Sequence, residues 1–154
     1  MKFSSVSVLC LCLIIFSCKT NEVHTPEDFE GSRLVLSHGG GFAGTYKTYC
    51  LLENGQLFKI SNDFKSKSPV KGFKKAIAEQ IFSNYEILGL GLEKVESYGN
   101  LNYSITMINE RGEEHKSIWG RDQEGAEKLQ LFYNNIMSQI RLNNEVDATK
   151  VEVQ

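Results

Sequence analysis

Between Arg33 and Ile140 the apolar residues switch period twice, from every second residue to a helical spacing, and few architectures accommodate that pattern. Arg33 to Ser37 and Thr45 to Leu52 have strand composition, and Leu57 to Ile60 returns after Glu53-Asn54-Gly55-Gln56. Asn-Gly at the centre of that turn tolerates positive φ, so it is a strong local hairpin signal. Phe73, Ile77 and Ile81, with Ala76 and Phe82 beside them, then fall on one helical stripe up to about Tyr85. Tyr103, Ile105 and Met107 alternate with Ser104 and Thr106, and His115 to Trp119 pairs back across the turn Glu110-Arg111-Gly112-Glu113. Ala126, Leu129, Tyr133, Ile136 and Ile140, with Phe132 and Met137, mark a second helix. The order β-β-β-α-β-β-α predicts an α+β, two-layer domain over 32–142. Its antiparallel sheet is covered on one face by the two helices. Asn62 to Gly72 reads as a lysine-rich loop, Glu86 to Asn102 as irregular chain, and 143–154 as a polar, disordered tail.

The first residues carry a different signal. Lys2 precedes the apolar run Val6–Phe16, eleven residues that at ~1.5 Å rise are too few to cross a ~30 Å hydrocarbon core but suit a signal-peptide core. The run ends in Ile15-Phe16-Ser17-Cys18, which resembles the lipobox of bacterial lipoproteins, with Phe16 where a smaller residue is commoner. That resemblance implies a signal peptide over 1–17, lipidation of Cys18, and a lipidated tether over 18–31. Lys19 stands where an inner-membrane retention signal places Asp, so the implied location is the outer membrane of a Gram-negative cell envelope. Cys10 and Cys12 would leave with the signal peptide and Cys18 would be acylated, so Cys50 would be the only thiol and the fold would have to stand without disulfides.

The residues that catalysis or cofactors need are scattered. With Lys+Arg 17 against Asp+Glu 19 the net charge is −2, which gives no basis for binding nucleic acid. Gly39-x-Gly41-x-x-Gly44 matches a dinucleotide fingerprint in letters only, because that fingerprint needs a helix next and Thr45–Tyr49 reads as strand. His24, His38 and His115 lie in no metal-ligand spacing. Cys50, between Tyr49 and Leu51 in a predicted strand, reads as a small core residue. No catalytic residue, metal ligand or cofactor is assigned. The lysines at 65, 67, 71, 74 and 75 read as a solvated loop without interleaved aromatics.

The stretch Leu34-Val35-Leu36-Ser37-His38-Gly39-Gly40-Gly41-Phe42-Ala43-Gly44, followed by Tyr46 and Tyr49, resembles the opening of the emfourin family. Those are small inhibitors of thermolysin-like zinc metalloproteases. The resemblance is specific over about ten residues of loop, with Asn102-Tyr103-Ser104-Ile105 matching a Tyr-bearing strand by order alone. An additional glycine, the lysine loop and the lipid signal depart from the family pattern. The resemblance implies a binding loop made of Gly40, Gly41, Phe42, Ala43 and Gly44. Glycine-rich backbone can pair along a protease cleft while Phe42 fills an apolar subsite; the competing account is that Phe42 folds into the core and the glycines only turn the chain.

Together these readings describe an envelope protein held by a lipid anchor, without catalytic activity, that binds a protein partner, the resemblance implying a metalloprotease. The alternative is a structural or assembly lipoprotein docking on another envelope component.

Overall fold

The computed structural model describes residues 23–41, 44–121 and 123–151. It holds six strands: β1 (Arg33–Gly40), β2 (Thr45–Leu52), β3 (Leu57–Ile60), β4 (Lys67–Val70), β5 (Leu101–Ile108) and β6 (Glu114–Gly120). They form one antiparallel sheet in the order β4-β3-β2-β1-β5-β6, with helices α1 (Lys75–Ile87) and α2 (Glu127–Val151). The expected α+β class is the observed one. β1 is central: Leu36 faces Tyr49 of β2 on one side and Ile105 of β5 on the other.

Strand alternation sorts the sheet residues onto two faces. Leu34, Leu36, Leu51, Leu57, Ile105 and Trp119 point at the helices and pack against Ala78, Ile81, Phe82 and Tyr85 of α1 and Leu129, Phe132, Tyr133, Ile136 and Ile140 of α2. Each buried aliphatic or aromatic side chain there contributes ~1.5–3 kcal/mol relative to exposure. Cys50, Leu52, Phe58 and Ile60 form a second, smaller cluster on the reverse face, joined by Val35 and Phe29.

That smaller cluster explains the behaviour of the N-terminal stretch. The segment read as a tether is, in its described part from residue 23, laid against the sheet. Pro26 is buried, the Arg33 guanidinium donates to the Pro26 carbonyl, and Ser32 N–H donates to the Glu53 carboxylate (3.1 Å). His24 N–H donates to Gln56 Oε1 (3.0 Å), which fixes Val23 and His24 beside the β2–β3 turn.

Three local features differ from the sequence pattern. A short strand, β4, lies within the lysine loop; it is an edge strand carrying Pro69 and lysine, a composition that blunts edge-to-edge pairing. α1 begins at Lys75, so Phe73 packs from outside the helix. Its buried stripe is Ala78, Ile81, Phe82 and Tyr85, and Ile77 is 40% exposed. α2 continues to Val151, past the 142/143 boundary where the apolar stripe ends. Propagating a formed helix costs little, so a polar sequence can extend it. Asn144 Nδ2 bonds back to the Ile140 carbonyl (2.8 Å) and Asn143 Nδ2 reaches the Gly72 carbonyl (3.3 Å). At the opposite edge, Ser97 N–H and Val95 C=O bond Ile118, covering β6.

Candidate functional site: the paired hairpin tips

The glycine loop is the tip of the β1–β2 hairpin. Gly40 closes β1, and Gly41 and Gly44 bound the turn. Phe42 and Ala43 lie outside the described residues, as does Cys18. Gly41 N–H donates to the Asn100 carbonyl (2.5 Å) and Gly44 N–H to the Gly41 carbonyl (3.2 Å), so neighbouring chain holds the tip from one side. Gly41 (φ +70°) and Gly44 (φ +58°) adopt left-handed angles that disfavour a side chain. A Cβ built at Gly44 would meet nothing within 4 Å, and one at Gly41 only the Asn100 carbonyl at 3.9 Å. These two glycines therefore serve backbone angle in open space. Gly39 is the opposite case, since its Cβ would fall 2.2 Å from the Thr45 carbonyl oxygen.

A second hairpin tip stands beside the first. Tyr46 N–H, just past the glycine turn, donates to Asn62 Oδ1 (2.9 Å) in the β3–β4 connection. That connection is closed by Ser61 N–H to Ser66 C=O and Phe64 N–H to Ser61 C=O, both 2.9 Å. The Ser61 hydroxyl and Lys65 N–H donate to the Asp63 carboxylate and hold its pKa below the usual range. Phe64 adopts φ +58° and is 59% exposed. An aromatic residue in that conformation is a genuine outlier, and most of its surface stays exposed. Sequence reading missed Phe64, and its only signal was one aromatic among Asn62, Asp63 and Lys65.

Between the two tips runs an open groove of about 640 Å³ lined by His38, Tyr46, Lys47, Lys59, Asn62 and Ser68. Past Lys47 and Lys59 it opens into a second hollow of about 870 Å³ against Met137 and Arg141 of α2.

The floor of this groove is tied to the core. His38 Nδ1 shares a 2.5 Å hydrogen bond with the Tyr133 hydroxyl. Tyr103 stacks on His38 (6.2 Å between centroids) and on Trp119 (6.0 Å), and Tyr133 stands edge-on to all three rings. Trp119 is wholly buried and its indole N–H donates to Gln130 Oε1 (2.7 Å), giving the buried donor the partner it needs. Burial, and secondarily the Lys47 charge, lowers the His38 pKa and favours the neutral ring. Burial also raises the Tyr133 hydroxyl above its ordinary range.

The other reactive residues stand apart. His115 bonds the Tyr85 hydroxyl (2.9 Å), and His24 packs edge-on to Phe29. Cys50 is buried, and burial pushes its thiol up to about 11 despite the opposing Arg33 charge, which makes it a poor nucleophile at neutral pH. Among the described residues no three His, Cys, Asp or Glu side chains converge on a metal position. The glycine fingerprint leads directly into strand β2, so the helix that a dinucleotide-binding turn needs does not follow it. Among the described residues no helix is long and apolar enough to cross a membrane. No family model, no curated protein and no solved structure matches the chain.

Proposed function

We propose that this chain is a cell-envelope lipoprotein, acylated at Cys18 and held at the outer membrane, that binds a protein partner through the Gly40–Gly44 hairpin tip without catalysing a reaction. The observation that carries this reading is the tip itself. Two glycines hold left-handed angles in open space, beside an exposed Phe64 in an unfavourable conformation. A core turn gains nothing from that combination, whereas a recognition surface gains an exposed turn and an aromatic anchor.

The position of Val23 supports the same reading. Val23 and His24 sit beside the β2–β3 turn, at the far end of β2 from the tip. Eight residues of β2 at ~3.3 Å each set the tip roughly 25 Å from the end where an anchor at Cys18 would join.

Given the resemblance of residues 34–44 to emfourins, the partner class we propose is a thermolysin-like metalloprotease. The test uses the acylated chain in detergent and a thermolysin-like enzyme cleaving a peptide substrate. Slowing is expected at micromolar protein, with Phe42→Ala and Phe64→Ala each weakening it about ten-fold. No slowing at any attainable concentration removes the inhibitor reading.

The assembly alternative has its own support in an apolar groove of about 440 Å³ between α1 and α2, where Ile77, Leu88 and Leu131 are exposed. A photo-crosslinker at Leu131 that captures one stable envelope component, unaffected by the tip variants, would favour it over the tip.

A further inference from the structure

The two lysines of the groove occupy an unusual place. Lys47 has the same strand parity as Tyr49 and Leu51, and Lys59 the same parity as Leu57, so both lie on the helix-facing side of the sheet. Lys59 is paired with Tyr49, and Lys47 is two residues along from Tyr49, which makes the lysines diagonal neighbours roughly 7–8 Å apart at Cα. Two like charges at that spacing repel, and among the described residues no carboxylate pairs with either. No Asp or Glu among the described residues lines either part of the groove. Lys67, Lys75 and Lys128 each hold a glutamate, but neither Lys47 nor Lys59 is in an ion pair among the described residues. The chain carries more acidic than basic residues, so a pair of lysines in one groove is not a by-product of overall charge.

We infer that the Lys47–Lys59 groove receives an acidic, extended segment of the protein partner that the hairpin tip engages. The inference rests on the proposed function and adds the chemistry of the partner. The groove is continuous with the tip, since Gly39, Gly40 and Thr45 line the same hollow as Lys47 and Lys59. It is long and open, and its cations stand in a row with Tyr49, Val70 and Met137 alongside. That shape suits a chain carrying spaced carboxylates over apolar contacts, and it offers a compact anion no convergent donors. The groove also lies on the tip side of the sheet, away from the Val23 end that would face an anchoring bilayer. Lysines placed this way raise the association rate and select against basic partners.

The test uses the full acylated chain in neutral detergent and a fluorescein-labelled octaglutamate peptide, read by anisotropy. Binding is expected at low salt and is expected to weaken when ionic strength shortens the Debye length below its ~10 Å at 0.1 M. The double variant Lys47→Glu/Lys59→Glu should weaken it about ten-fold or more, and Lys94→Glu/Lys116→Glu, away from the groove, should not. Far-ultraviolet circular dichroism checks that both variants are folded. Phe42→Ala should leave octaglutamate binding intact, so failure of the tip reading and failure of the groove reading give different results. The inference is overturned if wild type does not bind the peptide, or if the lysine double variant binds it equally well. It is also overturned if the groove lysines are needed only for capture of phosphatidylglycerol vesicles.

Discussion

Gly39→Ala separates glycines that serve packing from glycines that serve exposure. A Cβ at Gly39 would lie 2.2 Å from the Thr45 carbonyl oxygen and 2.6 Å from the Tyr46 Cα, both of them backbone atoms. Real Cβ contacts do not fall below 3.0 Å, so the facing strand must retreat by at least about 0.8 Å. The retreat opens the last two pairs of the β1–β2 ladder, Gly39↔Tyr46 and Gly40↔Thr45. Two ladder hydrogen bonds at ~1 kcal/mol each, with ~1–3 kcal/mol of overpacking strain, give a loss of about 3–5 kcal/mol. Gly44→Ala meets no neighbouring atom and loses only the left-handed angle, about 1 kcal/mol. Trp119 is the only tryptophan and is buried, so its fluorescence during urea unfolding reports on the whole core. With an m-value of ~1–3 kcal/mol/M, Gly39→Ala should move the midpoint down by ~1–5 M, about three to five times as far as Gly44→Ala, which moves it by no more than ~1 M. If the two variants unfold within ~0.5 kcal/mol of one another, the assignment of separate roles to these glycines is wrong.

Other consequences are equally open to measurement. Phe64→Asn should raise unfolding stability by about 0.5 kcal/mol, because Asn tolerates the left-handed angle and the Phe ring is exposed, while weakening partner capture. Tyr133→Phe removes the partner of His38 Nδ1 and should cost ~1–2 kcal/mol by urea unfolding. Cys50 should react with a disulfide reagent far more slowly in the native protein at pH 8 than after denaturation, since its thiol is buried and its pKa raised. Burial holds the His38 pKa below its ordinary ~6.5, so the unfolded chain takes up that proton first as pH falls. Its contribution to stability is complete above pH ~6.5 and is lost as pH drops below that value, so His38→Gln should flatten the wild-type fall in melting temperature between pH ~7 and ~5.

The parts of the fold written locally were legible in the sequence. Asn54-Gly55 specifies its own turn, and the apolar spacing of α2 specifies its buried face, because each signal needs only a few neighbouring residues. The stripe of α1 was harder to place, since Phe73 fits the period yet stands outside the helix, so the buried face is set by Ala78 and Tyr85. β4 has four residues, one proline and a single half-buried apolar side chain, too little to signal a strand before its partner β3 is in place. The glycine loop was visible as a break between strands. Its relation to the Asn62–Phe64 turn was not, because that relation depends on the β2–β3 pairing and on one hydrogen bond from Tyr46 N–H to the Asn62 side chain. The lysine groove did leave a trace in strand parity: Lys47 and Lys59 interrupt the inward-facing series that includes Leu51 and Leu57.

That interruption also explains why the tip end can serve as a surface. Where α1 and α2 cover the sheet, the inward positions are Leu34, Leu36, Leu51, Leu57 and Ile105, all buried. Toward the tips, α2 covers β1, β5 and β6 through Tyr133 against His38, Tyr103 and Trp119, while Lys47 and Lys59 on β2 and β3 line an open hollow with Met137 and Arg141. Lys47 and Lys59 are exposed, and leucines in their place would leave an apolar strip open to nonspecific association. Solubility alone is met by a mixture of acidic and basic residues, as on α1, where Lys75 pairs with Glu79. Two lysines with no carboxylate between them among the described residues therefore exceed what solubility requires, and the excess lies beside the glycine turn. Charge, an exposed glycine turn and an unburied aromatic meet at the end of the sheet opposite Val23.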